Sequence, residues 1–247
     1  MCYHTSQTKT TSKLEQRFKV KRDPDHNIGE LDFTFFHSNG FAHQNLLMIP
    51  QAQPQILTPG MWGIMPQNIL GITHKEYYKE SIRFGSGLNA RSEKLFDHFI
   101  YRHAVMERRC LIPVDGFFEP HELEKKKYPV YVHRKDKDFL ALAGIYNVSR
   151  DGYVTMAILT KAASPMFGEI HNLRKRQPVM IPAALETSWL SPGLKRQDII
   201  EITATSYDEK VIEAYTVSKD VFSTKIDSNR PEILEPDPER TVLRFGV

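Results

Sequence analysis

Four apolar runs follow one another in the middle of the chain: CLIPVDGFFE from Cys110, YPVYVH from Tyr128, FLALAGIYNV from Phe139 and YVTMAILTKA from Tyr153. Short polar or charged stretches such as Glu122 to Lys127 and Ser149 to Gly152 separate them. Runs this rich in β-branched and aromatic side chains, bounded by turn-forming residues, read as strands, so the middle of the chain must build a sheet-rich core. From Asp32 to Pro66 shorter apolar runs (LLMIP, QILTP, WGIMP), broken by Gly, Pro and Asn, add short strands and turns. Helices are expected over about 12–20, where Ser12 and Glu15 have the spacing of a capping box, over 92–107, and over 182–190 with proline near the first turn. A last strand-like YTVS precedes a polar, proline-containing tail.

At 247 residues and 40% hydrophobic content, with no linker-like stretch, the chain is expected to form one α+β domain over residues 2–236, followed by a tail over 237–247. A formal net charge of +3 permits a nucleic-acid partner without demanding one. Two distant cysteines, with no CxxC pair or repeated Cys/His spacing, argue against a disulfide framework and structural zinc. Cys2 and His4 lack the further ligands a metal site needs. No apolar leader and no run long enough to span a bilayer is present, so a cytoplasmic protein with no membrane association is expected.

Cys2 raises the chemical question. A methionine followed by so small a residue is a candidate for removal, which leaves an α-amine beside the thiol. The amine, with a pKa of about 7.7–8.0, is partly neutral near pH 7, and the thiol, at about 8.5, is a second nucleophile within reach. An amine and a thiol on adjacent carbons condense with an aldehyde to an imine and then close to a five-membered thiazolidine. From position alone an accidental residue on a frayed terminus is the alternative. Asn89 and Arg91, at or just before the expected helix start, could bond a reacting group and hold a phosphate, or simply cap the helix. Strict alternation from Cys110 places Cys110, Ile112, Val114 and Phe118 on one face and Leu111, Pro113, Asp115, Phe117 and Glu119 on the other. A carboxylate behind aromatics at a strand end suits a general acid, because an apolar neighbourhood favours the protonated form; an exposed Glu119 opening a charged hairpin is the alternative. His171, beside Arg174, Lys175 and Arg176 in an expected loop, is the best acid/base candidate by context.

Taken in order, Met1-Cys2, Trp62-Gly63-Ile64-Met65-Pro66, Asn89-Ala90-Arg91-Ser92-Glu93, Arg108 to Pro113, Gly116-Phe117-Phe118-Glu119, Ala143-Gly144-Ile145-Tyr146, and His171 with Arg176-Gln177-Pro178-Val179 resemble the SRAP family, the SOS-response-associated peptidases or abasic-site-processing proteins. The resemblance implies a single domain on a curved, barrel-like, mainly antiparallel sheet with flanking helices. It implies binding of single-stranded DNA that contains abasic sites, capture of the ring-opened aldehyde by Cys2 as a thiazolidine, self-processing of Met1, and no cofactor or metal. It makes Cys2 the nucleophile and gives Asn89 the positioning of cysteine and sugar. Glu119 and His171 become the acid/base pair, and Arg91, Thr160 and Arg176 make backbone contacts. The sequence departs from the family where Tyr3-His4 replaces Gly-Arg after the cysteine, so a phosphate contact by His4 becomes weak or pH-dependent. Asn68-Ile69 and Pro120 stand where tryptophans wedge against bases, each base stack being worth about 1–3 kcal/mol. The four residues between His171 and Arg176 leave Arg174 and Arg176 as alternative phosphate contacts. An N-terminal-nucleophile peptidase or amidase using Cys2 and His171, and a non-enzymatic single-strand binder, are the competing readings. A monomer is expected.

Overall fold

The computed structural model describes residues 2–237 and 243–245. In chain order the elements are β1 (His4–Gln7), α1 (Thr11–Phe18), β2 (Lys21–Arg22), β3 (Phe35–Asn39), β4 (Asn45–Pro50), β5 (Ile56–Trp62), α2 (His74–Ser81), β6 (Asn89–Arg91) and α3 (Tyr101–Glu107). They continue as β7 (Arg109–Val114), β8 (Gly116–Leu123), β9 (Lys126–Arg134), β10 (Leu140–Val148), β11 (Val154–Ala162), α4 (Pro165–Ile170), β12 (Arg176–Pro178), α5 (Glu186–Leu190), α6 (Arg196–Ala204), β13 (Ile212–Thr216) and β14 (Arg244–Phe245).

Strands β5, β4, β7, β10 and β11 pair antiparallel in that order, and a parallel contact of Thr155 with Met61 and Met156 with Trp62 joins β11 back to β5. The result is a closed five-stranded barrel, which removes the edges an open sheet would leave unpaired. A second sheet runs β14-β13-β9-β8-β1-β3. With its flanking helices this is the single α+β domain on a barrel-like antiparallel sheet implied by the resemblance. Among the described residues no helix is long and apolar enough to cross a membrane.

The chain passes from barrel to second sheet at Asp115, and this changes the face assignments. Gly116 sits where a Cβ would approach the Val132 carbonyl oxygen to 2.5 Å, so only glycine lets β8 lie this close to β9. The bend at Asp115 breaks the alternation expected through Cys110–Glu119. Phe117 joins Cys110, Ile112 and Val114 in one cluster, while Phe118 packs with Tyr131 and Tyr215 in another.

Three further expectations change. The 92–107 helix is a 3₁₀ turn (Ser92–Lys94) followed by α3, because the His98 ring takes the Ile100 amide at 3.3 Å and competes with the helical ladder. Ser12 lies inside α1, and its hydroxyl donates to Glu30 Oε1 at 2.6 Å while Glu15 accepts from Arg22, so the expected capping box does not form. Within the expected tail, Arg244–Phe245 pairs with β13, whereas residues 238–242 and 246–247, like Met1, lie outside the described residues.

Candidate active site

Cys2 directly precedes β1, and β1 lies between β3 and β8, with His4 opposite Asn39 on one side and Phe118 on the other. The strand therefore carries the start of the chain into the second sheet. The Cys2 side chain is fully buried in the cluster that holds Trp62, Leu88, Phe117 and Ile158, and its Sγ donates to the His4 carbonyl at 3.8 Å. Burial, and secondarily the nearby Glu119 carboxylate, push the thiol well above its ordinary pKa. The expectation of a thiolate within easy reach at neutral pH is thus corrected: the sulfur is held as a thiol and needs a base.

Glu119 on β8 is also fully buried, not exposed at a hairpin. Its Oε2 lies 3.1 Å from Nδ1 of His171, a buried residue that caps the C-terminus of α4 and opens the turn over 171–174, as the expected loop required. The same Nδ1 is 3.1 Å from the Arg176 carbonyl. A carbonyl oxygen only accepts, so the ring proton belongs on Nδ1 and Nε2 carries the lone pair of the neutral ring. The structure therefore gathers Cys2, Glu119 and His171 at one place.

Asn89 and Arg91 lie on β6, which pairs parallel to β11 through Ile158, Leu159 and Thr160. Asn89 and Arg91 are thus strand residues, and the helical turn that begins after Arg91 is the short 3₁₀ turn Ser92–Lys94 and not the start of the expected long helix. Asn89 follows Leu88, which packs in the Cys2 cluster and whose carbonyl accepts from Trp62 Nε1 at 2.9 Å. Both polar atoms of the Asn89 amide are buried without a hydrogen-bond partner among the described residues. Arg91 is exposed.

The remaining expected contacts divide. Thr160 is fully buried, and Arg176 is buried, its guanidinium bonding Glu93 (2.6 Å), the Thr160 carbonyl (2.8 Å) and Thr160 Oγ1 (3.1 Å). Neither presents a free surface to a phosphate in this state. Arg174 is exposed and lines a cleft of about 650 Å³ together with His171, Tyr3, His4, Lys127 and Lys219. His4 Nδ1 lies 2.8 Å from His37 Nε2, and burial with the neighbouring His37 lowers the His4 pKa to about 3. The pH-dependent phosphate contact expected of His4 is corrected accordingly: the ring is uncharged near neutral pH. Sequence reasoning missed Lys127, Lys219, Tyr3 and Phe222 in the cleft wall, which come from β9, the segment after β13 and the residue beside Cys2. Only the position of Tyr3 was a signal. A larger cavity of about 880 Å³ borders β11 and α6, but carboxylates (Glu93, Asp208, Glu209) line it and none of Cys2, Glu119 and His171 does.

The profile of the SOS response associated peptidases (SRAP) matches residues 1–224. This chain belongs to the SRAP family. The SRAP chain is 32% identical over 153 residues to the abasic site processing protein YoqW of Bacillus subtilis (strain 168), covering 60% of this chain and 66% of that protein. It is 26% identical over 169 residues to the abasic site processing protein YMR114C of Saccharomyces cerevisiae, covering 66% of this chain and 43% of that protein. The match thus spans just under two thirds of the length of YoqW and less than half of YMR114C. A crystal structure of a Bacteroides thetaiotaomicron protein superposes with a TM-score of 0.81 at 24% identity, over 95% of this chain and 99% of that one, which shows a shared SRAP fold.

Proposed function

We propose that this SRAP protein processes abasic sites in single-stranded DNA, capturing the ring-opened aldehyde with Cys2, once Met1 has been removed, as a thiazolidine. One observation carries the reading: a buried thiol and a buried carboxylate–imidazole pair share one place, beside a cleft lined, among the described residues, by the cations Lys127, Arg174 and Lys219 and by no carboxylate. The names of the curated relatives point the same way.

The chemistry follows from the proton inventory. The Cys2 amine attacks the aldehyde carbon; the C=O electron pair moves to oxygen, which is protonated, and the nitrogen loses a proton. Protonation of that hydroxyl by the Glu119–His171 pair lets it leave as water, and loss of the remaining nitrogen proton gives the imine. Glu119 then takes the thiol proton, Sγ bonds to the imine carbon, and the C=N electron pair moves to nitrogen, which is reprotonated. The sum is aldehyde plus aminothiol giving thiazolidine plus water. Asn89, whose unpartnered amide has both donor and acceptor, orients the cysteine and the sugar, and Arg91 and Arg174 hold neighbouring phosphates.

Incubation with single-stranded DNA bearing an abasic site, after intact mass has established loss of Met1, gives an adduct that survives denaturation. Cys2→Ala abolishes the adduct, and Glu119→Gln slows its formation by about 10²–10⁴, the range of a lost acid/base group, with unchanged DNA affinity. Absence of any adduct with the processed wild type would overturn the reading, and release of an amide or peptide product instead would favour an N-terminal-nucleophile hydrolase.

A further inference from the structure

On the other side of Tyr3 from the active-site cleft lies a second groove, of about 330 Å³, walled by α2 and the turn before β4. Phe41, Lys75, Tyr78, Lys79 and Ile82 line it. Lys75 and Lys79 are exposed and have no carboxylate partner among the described residues. Although α2 also carries Glu76 and Glu80, no Asp or Glu lines the groove, and none lines the active-site cleft. The two hollows meet at aromatic rings: Tyr3, a wall of the first, packs on Phe41, a wall of the second, with ring centroids 5.0 Å apart. Phe41 keeps 44% of its surface exposed, enough for another flat ring to lie on it. Two hollows with no carboxylate among their described lining residues, joined by a tilted pair of packed aromatic rings, suit a ligand with a repeating negative charge and flat apolar faces.

We propose that the single strand continues past the lesion into this groove, where Lys75 and Lys79 hold its phosphates and Phe41 stacks on a base. Tyr3 and Phe41 then form the apolar divider between the lesion and its neighbour. The inference rests on the single-stranded-DNA reading above but not on the thiazolidine chemistry.

The test measures equilibrium binding to a single-stranded oligonucleotide with a central tetrahydrofuran abasic analogue, which has no aldehyde and cannot crosslink. Lys75→Ala/Lys79→Ala weakens binding several-fold and lowers the slope of log K against log salt by about 1.4, two single-strand phosphate contacts at about 0.7 each. Lys13→Ala/Lys19→Ala, which changes net charge equally at residues lining neither groove, leaves the slope as in wild type. Phe41→Ala weakens binding with no change in slope. On two oligonucleotides that each end at the lesion, one keeping only the 5′ flank and one only the 3′ flank, the lysine penalty persists on one and vanishes on the other. Wild-type affinity and slope for the lysine variant, the same penalty in both lysine pairs, or an equal penalty on both one-sided strands overturns the groove. Failure of the adduct assay with intact tetrahydrofuran binding overturns the chemistry alone.

Discussion

In the proposed mechanism Cys2 becomes nucleophilic only through its neighbours. A buried thiol is a poor thiolate, so the proposed chemistry needs a base for its proton, and Glu119, whose charge reaches the thiol, is the group proposed for it. The burial of Glu119 and its contact with His171 come from β8 crossing into the second sheet at Gly116, a step that residue-by-residue alternation could not register. The two arginines near His171 separate on the same ground. Arg174 is exposed on the cleft, whereas Arg176 is buried against Thr160 and Glu93. Arg174→Ala should therefore lower DNA affinity and reduce the salt slope by about 0.7 with little change in melting temperature. Arg176→Ala should cost about 1–3 kcal/mol in stability, because Thr160 loses its buried partner. Thermal melts beside salt titrations of both variants check this.

At the scale of elements, β1, which carries the chain from Cys2 into the second sheet, is fastened from both sides. Its His4 bonds His37 of β3, His37 Nδ1 lies 2.6 Å from Ser228 Oγ, and Asn229 Oδ1 accepts from the Phe36 and His37 amides, covering the free edge of β3. Burial lowers the His37 pKa to about 4 and that of His4 to about 3. Below about pH 6.5 the unfolded chain protonates both rings while the folded protein keeps them neutral, so the unfolded state binds more protons. Stability contributed by the pair is full above pH 6.5 and falls below it by about 1.4 kcal/mol per pH unit for each ring, down to about pH 4 for His37 and about pH 3 for His4. Urea unfolding at stepped pH should show a shallower fall in His37→Gln than in wild type; parallel curves would mean the rings titrate normally.

At the scale of the molecule, the site exists because a closed barrel and a second sheet share one apolar cluster, with Cys2 entering from the sheet and Trp62, Leu88 and Ile158 from the barrel and its neighbouring strand. Trp62 ties them: fully buried, it ends β5 at the barrel closure and holds the Leu88 carbonyl beside Asn89. Trp62→Phe removes that donor and should cost about 1–3 kcal/mol and slow adduct formation together, as chemical denaturation and adduct kinetics would show. Gly63, at φ +135°, completes the corner, since a Cβ there would come within 2.7 Å of His43 Nδ1. By itself the sequence determined the strand-rich middle, the family, and the residues that meet at the site, Cys2, Glu119 and His171, because hydrophobic period and ordered motifs are local properties of the chain. Only the tertiary structure decided which faces those residues share, that the Cys2 sulfur is a buried thiol, that His4 and Arg176 turn inward, and that Lys127 and Lys219 wall the cleft. Burial, hydrogen-bond partners and charge proximity arise between segments far apart in sequence, and strand pairing is what brings them together.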